Sequence, residues 1–280
     1  MDNIGAILNG SKTASDVWLK LLDEVYYRGA LVSPRGLKSK EILANTTVVD
    51  MRFPVVTNKD RDLGYRFMAA EAHWILSGNN KLKDIQPYSS IIDTFSDDGV
   101  FFFGAYGPRI VDQLTYIVDS LYRDQNTRQA VLTIWRPNPR ESRDIPCTIS
   151  VQWIIRDNTI HCIDTMRSSD VWLGWPYDVF NFSMLTGYIM LLLKRKIELE
   201  KLKLYIDLGT HDIPISLGNL YLTAGSQHLY ETNWKAASKI THEANAFTYM
   251  EFDPLSFRDE NDLLDHLEKG LLPDILNDQR

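Results

Sequence analysis

The chain is short of several things, and each shortage removes a class of protein. Only two cysteines occur among 280 residues, Cys147 and Cys162, so no disulfide framework is indicated and a reducing, cytoplasmic compartment is expected. No apolar run reaches the roughly 18 residues that a membrane-spanning helix needs, and Met1 to Gly10 lacks a basic start followed by an apolar core, so neither a membrane span nor a secretory leader is expected. Positive charge is also in deficit: 30 Lys and Arg stand against 37 Asp and Glu, a net charge of -7. That balance argues against polymeric nucleic acid as a partner, yet it leaves room for a local basic pocket that grips one phosphate. Internal repeats, low-complexity tracts and Pro/Gly/Ser linkers are missing, so a single domain over residues 1–280 is expected. No His/Cys/carboxylate cluster has ligand spacing, and no metal is expected.

What is present is apolar and well patterned. Hydrophobic residues make up 44% of the chain, enough for one sizeable core without staples. Val17, Trp18, Leu21, Leu22, Val25 and Tyr26 recur at helical spacing over Ser15 to Arg28, with Ser15 or Asp16 as N-cap and Gly29 as stop. Further helices are predicted over Leu63 to Ser77 and Ile110 to Tyr122, separated by an aromatic loop, Phe101 to Gly107. Ala130 to Trp135, Thr148 to Ile155 and Ile160 to Met166 are strand-like, with a hairpin turn at Arg156 to Thr159. Tyr177 to Leu193 is apolar on nearly every side and reads as a buried central helix across the sheet. Strands at Leu202 to Leu208 and Leu220 to Ala224, then a helix from Gln227 to Lys239, complete an α+β reading with helices on one mixed sheet.

Three clusters carry chemistry: Pro146-Cys147-Thr148, the run from Arg167-Ser168-Ser169-Asp170 to Asp178, and Gly225-Ser226-Gln227-His228-Leu229-Tyr230. Alone, each has an ordinary reading. A lone cysteine at a strand start is commonly a small buried hydrophobe, and Cys162, centred in a strand, keeps that reading. An Arg-Ser-Ser-Asp run is commonly a solvated turn.

Together and in this order they resemble the thymidylate synthase family, and most of all its bacteriophage deoxycytidylate hydroxymethylase branch. The resemblance extends to Glu71-Ala72-His73-Trp74, Tyr106-Gly107 and Thr127-Arg128, covering roughly residues 10 to 240, with no similarity seen beyond about residue 245. It implies a sheet-mediated homodimer that binds a pyrimidine nucleoside monophosphate and uses 5,10-methylenetetrahydrofolate as co-substrate. By the same resemblance Cys147 is the nucleophile that adds to C6 of the pyrimidine and makes C5 reactive. Arg167 holds the substrate phosphate and favours the thiolate, Ser168 donates to the same phosphate, and Arg35 looks like the phosphate arginine of a mobile loop. Arg128 would reach the partner subunit's site, although the family often has two consecutive arginines where this chain has Arg128-Gln129. Glu71 and Tyr106 would organise proton transfer around the base. His228 and Tyr230 would hold the sugar 3'-hydroxyl; Asp170 would bond the pterin, and Ile92 and Gly174 would line the folate site, with Phe95 aligned to a second folate-site aromatic.

Position 178 bears on the base. Thymidylate synthases have Asn there, whose amide matches N3-H and O4 of uracil. Asp178 offers cytosine a matching donor and acceptor when protonated, or accepts from the 4-amino group and a protonated N3 when ionised. It is also expected to serve as a helix N-cap before Val179. Thr148 follows the nucleophile where synthases usually have His, and Leu276 to Arg280 lacks their apolar closing tail. Both point to water rather than hydride completing the product. The expected activity is therefore dCMP 5-hydroxymethylation; the alternatives are dCMP or CMP methylation, a thymidylate synthase acting on dUMP, or an inactive nucleotide-binding family member.

Overall fold

In a computed structural model of the chain, the described residues are 13–204, 216–242 and 250–270. They form, in order, α1 (Ala14–Arg28), β1 (Ala30–Val32), β2 (Ser39–Asp50), α2 (Tyr65–Leu76), α3 (Leu82–Ile85), α4 (Gly107–Arg123), β3 (Val131–Thr133), β4 (Thr148–Arg156), β5 (Thr159–Asp170), α5 (Trp175–Leu204), β6 (Ser216–Tyr230), α6 (Trp234–His242) and α7 (Glu260–Glu268). The architecture is α+β as expected. One mixed sheet of six strands has the order β1-β2-β6-β5-β4-β3, and only β5 and β6 run parallel in it. No described helix is long and apolar enough to cross a membrane.

Local chemistry explains most of the boundaries. α1 is capped by Thr13, whose hydroxyl accepts from Asp16 N, rather than by Ser15 or Asp16. Ser15 is instead buried and accepts from Thr57 N at 3.0 Å. The β4–β5 hairpin turns on Asp157 and Asn158 at φ 49° and 56°, the left-handed pair that a two-residue hairpin loop requires.

Three expectations need correction. Leu202 to Leu204 continue α5 instead of starting a strand, because the Lys/Arg/Glu/Leu-rich segment before them holds no Gly or Pro to stop a helix; residues 205–208 lie outside the described set, as does Leu276 to Arg280. Gln227 to Tyr230 are strand, not helix: they continue β6, all four paired with β2 and Gln227 and His228 also with β5. The helix begins only at Trp234. β2 has no counterpart in the sequence reading. Its pairing with β6 keeps one register from Leu43–Ser226 to Asn45–Ala224, with Ala44 between them at φ 51°, but Ile42 to Val49 lacks the apolar–polar alternation by which a strand is recognised.

The core lies between the sheet and the helices. Trp18, Trp153, Trp175, Phe180 and Phe182 are all fully buried, and each of the three indoles finds an acceptor: Val171 O at 2.8 Å, Thr186 Oγ1 at 3.0 Å and Thr47 Oγ1 at 3.1 Å. α5 crosses β5 and β6 as the buried central helix. α7 packs on α2 and α5 through buried Leu263 and Leu267.

Candidate active site

The nucleophile and its arginine are joined by strand pairing. β4 begins just after Cys147, β5 runs antiparallel beside it, and Arg167 N donates to Cys147 O at 2.8 Å. The Arg167 guanidinium is held by three acceptors: Pro146 O at 3.0 Å, Ile145 O at 2.9 Å and Ser168 Oγ at 2.9 Å. Its charge reaches the sulfur partly through Ser168, whose Oγ lies 3.7 Å from Cys147 Sγ. Arg167 acts in the expected direction on the thiol, against burial. Burial pushes the Cys147 thiol up, and Arg167 pulls it back part of the way.

Opposite the thiol stands a group of acids and a phenol. Asp178 is not an N-cap: it sits in the first turn of α5, and its N–H donates to Gly174 O at 3.0 Å. A side chain at Gly174 would put its Cβ 3.3 Å from Asp178 Oδ2, so glycine leaves room for that carboxyl. Burial, joined by the charges of Glu71 and Asp170, pushes Asp178 well above the usual carboxylate range. Glu71, on α2, accepts from Asn181 Nδ2 at 2.8 Å, and burial raises it to about 7. Tyr106, just ahead of α4, accepts from Thr148 N at 3.1 Å through its Oη and stacks on Phe182. Its hydroxyl is pushed far up by burial, with Cys147 and Asp178 beside it. The structure thus brings Cys147, Glu71, Tyr106 and Asp178 together.

β5 and β6 supply the next wall. Ser168, Ser169 and Asp170 stand opposite Ser226, Gln227 and His228. Gly225 is needed there because a Cβ would lie 2.9 Å from Arg167 O. Asp170 Oδ1 accepts from Trp172 N at 2.8 Å and Leu173 N at 3.0 Å, while Oδ2 is buried without a partner. The His228 and Tyr230 rings meet edge to face at 5.0 Å.

Three expected residues are not drawn into this cluster by any described contact. Arg35 is exposed in the turn Pro34–Gly36, at φ 55°. Arg128 is exposed ahead of edge strand β3 and is tied down only by its carbonyl, which accepts from Gln152 Nε2. Ile92 is half-buried in the turn Ile92–Phe95, and Phe95 is 49% exposed. A small apolar cavity of about 30 Å³ lies elsewhere, among Phe180, Met184, Phe252, Phe257, Leu263 and Leu267, and holds none of these groups.

Two residues of the site escaped the sequence reading. Asn181, the partner of Glu71, follows Asp178 by three positions and so shares its helix face. Asp164 is an acid on the buried face of β5, in step with Ile160, Cys162 and Met166; a carboxylate at that parity is the signal.

A thiol just ahead of a strand, beside a tethered arginine and facing buried acids and a phenol, defines a thiol-centred pocket with one cationic edge. Residues 16–266 match the family described as Thymidylate synthase, and the chain belongs to that family. The match runs past residue 245, where no similarity was expected, because α7 is part of the packed unit. Members of this family are one-carbon transferases that act on nucleoside monophosphates with methylenetetrahydrofolate. The chain is similar to a deoxyuridylate hydroxymethyltransferase of Bacillus phage SP01, 26% identical over 84% of this chain and 61% of the relative. It is also similar to the deoxyuridylate hydroxymethyltransferase of Pseudomonas phage M6, 30% identical over 46% of this chain and 40% of that protein. A thymidylate synthase of Buchnera aphidicola is 25% identical over 67% of each chain. The chain therefore spans less than two thirds of the length of either phage relative.

Proposed function

We propose that the protein is a cytosolic dCMP 5-hydroxymethyltransferase, taking a one-carbon unit from 5,10-methylenetetrahydrofolate and completing the product with water. The observation that carries this reading is the buried carboxyl of Asp178 beside Cys147, at a position where an amide would match uracil. Cys147 adds to C6 of the pyrimidine and turns C5 into the attacking carbon. Arg167 and Ser168 hold the phosphate, Arg35 joins them from its turn, and His228 with Tyr230 holds the 3'-hydroxyl. Glu71, poised near neutrality, and Tyr106 move protons around the base.

The co-substrate supplies the electrophilic carbon. The unpartnered Oδ2 of Asp170 suits the N–H donors of a pterin, and Gly174 and Ile92 would border it. Asp178 serves cytosine in both of its states, as a neutral donor-acceptor pair or as an anion facing the 4-amino group and a protonated N3. Uracil, with N3-H and O4, is served only by the neutral form. The names of the two phage relatives favour water over hydride as the terminal step, and they favour dUMP as the second reading for the substrate.

The chain acts in this proposal as a homodimer. The sheet face turned away from α5 leaves His161, Ile163, Thr165, Tyr221 and Thr223 half-exposed, and a second copy covering it would carry Arg128 toward its neighbour's phosphate.

The test is incubation with dCMP, CMP and dUMP, each with methylenetetrahydrofolate, followed by mass spectrometry of the nucleotide. Gain of CH2O on dCMP is expected. A faster gain on dUMP would overturn the base assignment, and gain of CH2 with release of dihydrofolate would overturn the product assignment.

A further inference from the structure

Behind the pocket lies a carboxyl that none of these roles uses. Asp164 is 0% exposed, and both of its carboxyl oxygens lack a hydrogen-bond partner. Its polar neighbour is the Thr148 hydroxyl, near enough to act on its charge, itself 0% exposed and likewise without a bonded partner. A break in strand register creates this juxtaposition. Thr148 stands opposite Met166 and Val151 opposite Asp164, with a bulge between Thr148 and Ser150. Unbulged alternation from Val151 would turn Ile149 inward; with the bulge, Ile149 is 36% exposed and Thr148 is inside with Asp164.

The titratable groups facing Asp164 are Cys162 on its own strand and Asp178 on α5, and no cation is among them. Burial pushes Asp164 well above the usual carboxylate range and so favours its acid form, which has one O–H to donate and one hydroxyl beside it to receive. An apolar side chain of similar volume would suit the site better by core packing alone, since a buried acid without a full partner opposes folding. Such a group marks a role other than stability. Thr148 is where that role lies, since it follows Cys147 directly and its N–H donates to Tyr106 Oη.

We propose that Asp164 is a positioning residue, whose carboxyl O–H donates a hydrogen bond to Thr148 Oγ1 and holds the Cys147–Thr148 segment, and with it Tyr106, in register with Asp178. This rests on the reading that Cys147 attacks a bound nucleotide, and it holds whichever base is preferred.

The test compares full-length Asp164→Leu and Asp164→Asn by thermal unfolding and by tritium release from C5 of both dCMP and dUMP. Leucine is expected to raise Tm by about 2–4 °C while lowering kcat by about 10²-fold with KM for the nucleotide little changed. Asparagine, which keeps an N–H donor, is expected to restore kcat to within about fivefold of the unmodified enzyme. Adding Thr148→Val to the leucine variant should lower kcat no further, because both changes remove one interaction. A leucine variant with the unmodified kcat would overturn the proposal, as would an asparagine variant as impaired as the leucine one. Should the leucine variant not fold, the proposal requires Asp164→Asn active and Thr148→Val impaired, and the reverse pattern overturns it. If the unmodified enzyme releases no tritium from either nucleotide, the nucleotide reading fails and this inference fails with it; normal release with an unimpaired leucine variant sinks the role of Asp164 alone.

Discussion

The two sides of the pocket differ in how they treat charge. On the inner side Glu71, Tyr106, Asp164 and Asp178 are all displaced toward their proton-bound forms by burial. On the outer side Arg167 is exposed and locked by neighbouring acceptors. Cys147 lies at the boundary, pulled up by burial and down by Arg167. The contrast separates two tasks: the wet, cationic side suits a phosphate, while the dry side suits a neutral ring that must be protonated and deprotonated during the reaction.

The most severe way to break this division is at the boundary itself. Cys147→Ser should lower kcat by roughly 10⁴–10⁶-fold, read as tritium release from C5, with the nucleotide still bound. Altering the inner side should change the base instead. Asp178→Asn should move the ratio of kcat/KM toward dUMP by about 10³-fold, measured by competing the two nucleotides in one reaction. On the outer side, Arg167→Ala should lower kcat/KM by about 10²-fold, part of it as a higher KM and part as a thiol that reacts with alkylating reagents only at higher pH.

Glu71 gives the smallest effect and the most telling one in its direction. Its carboxyl is raised from 4.5 to about 7, so the fold holds that proton more tightly than the unfolded chain does. Stability from this group is therefore greatest at low pH and is lost as pH rises from about 4.5 to about 7. Glu71→Gln should flatten the pH dependence of urea unfolding across that window. It should also remove an inflection near 7 from the profile of kcat/KM, with a loss of about tenfold to 10²-fold at the optimum.

The inner side was far easier to read from the sequence than the outer one. The resemblance names Cys147, Asp178, Tyr106 and Glu71, and because they lie on regular elements or right beside them, strand pairing and one helix turn are enough to bring them together. Arg35 and Arg128 lie in a turn and ahead of a short edge strand, where no periodicity states which way a side chain points. β2 and the end of β6 were missed for related reasons: one lacks apolar–polar alternation over Ile42 to Val49, and the other is polar enough to pass for a helix start. Asp164 went unseen because its meaning depends on the bulge that turns Thr148 inward, a feature of pairing rather than of composition.

The most direct measurement uses 5-fluoro-dCMP with methylenetetrahydrofolate. Fluorine cannot leave C5 as a proton does, so a thiol that has added to C6 stays attached. Mass spectrometry of the digested protein should find nucleotide and folate joined to the peptide that contains Cys147. A peptide left unmodified, or an adduct found on Cys162 instead, would contradict the account.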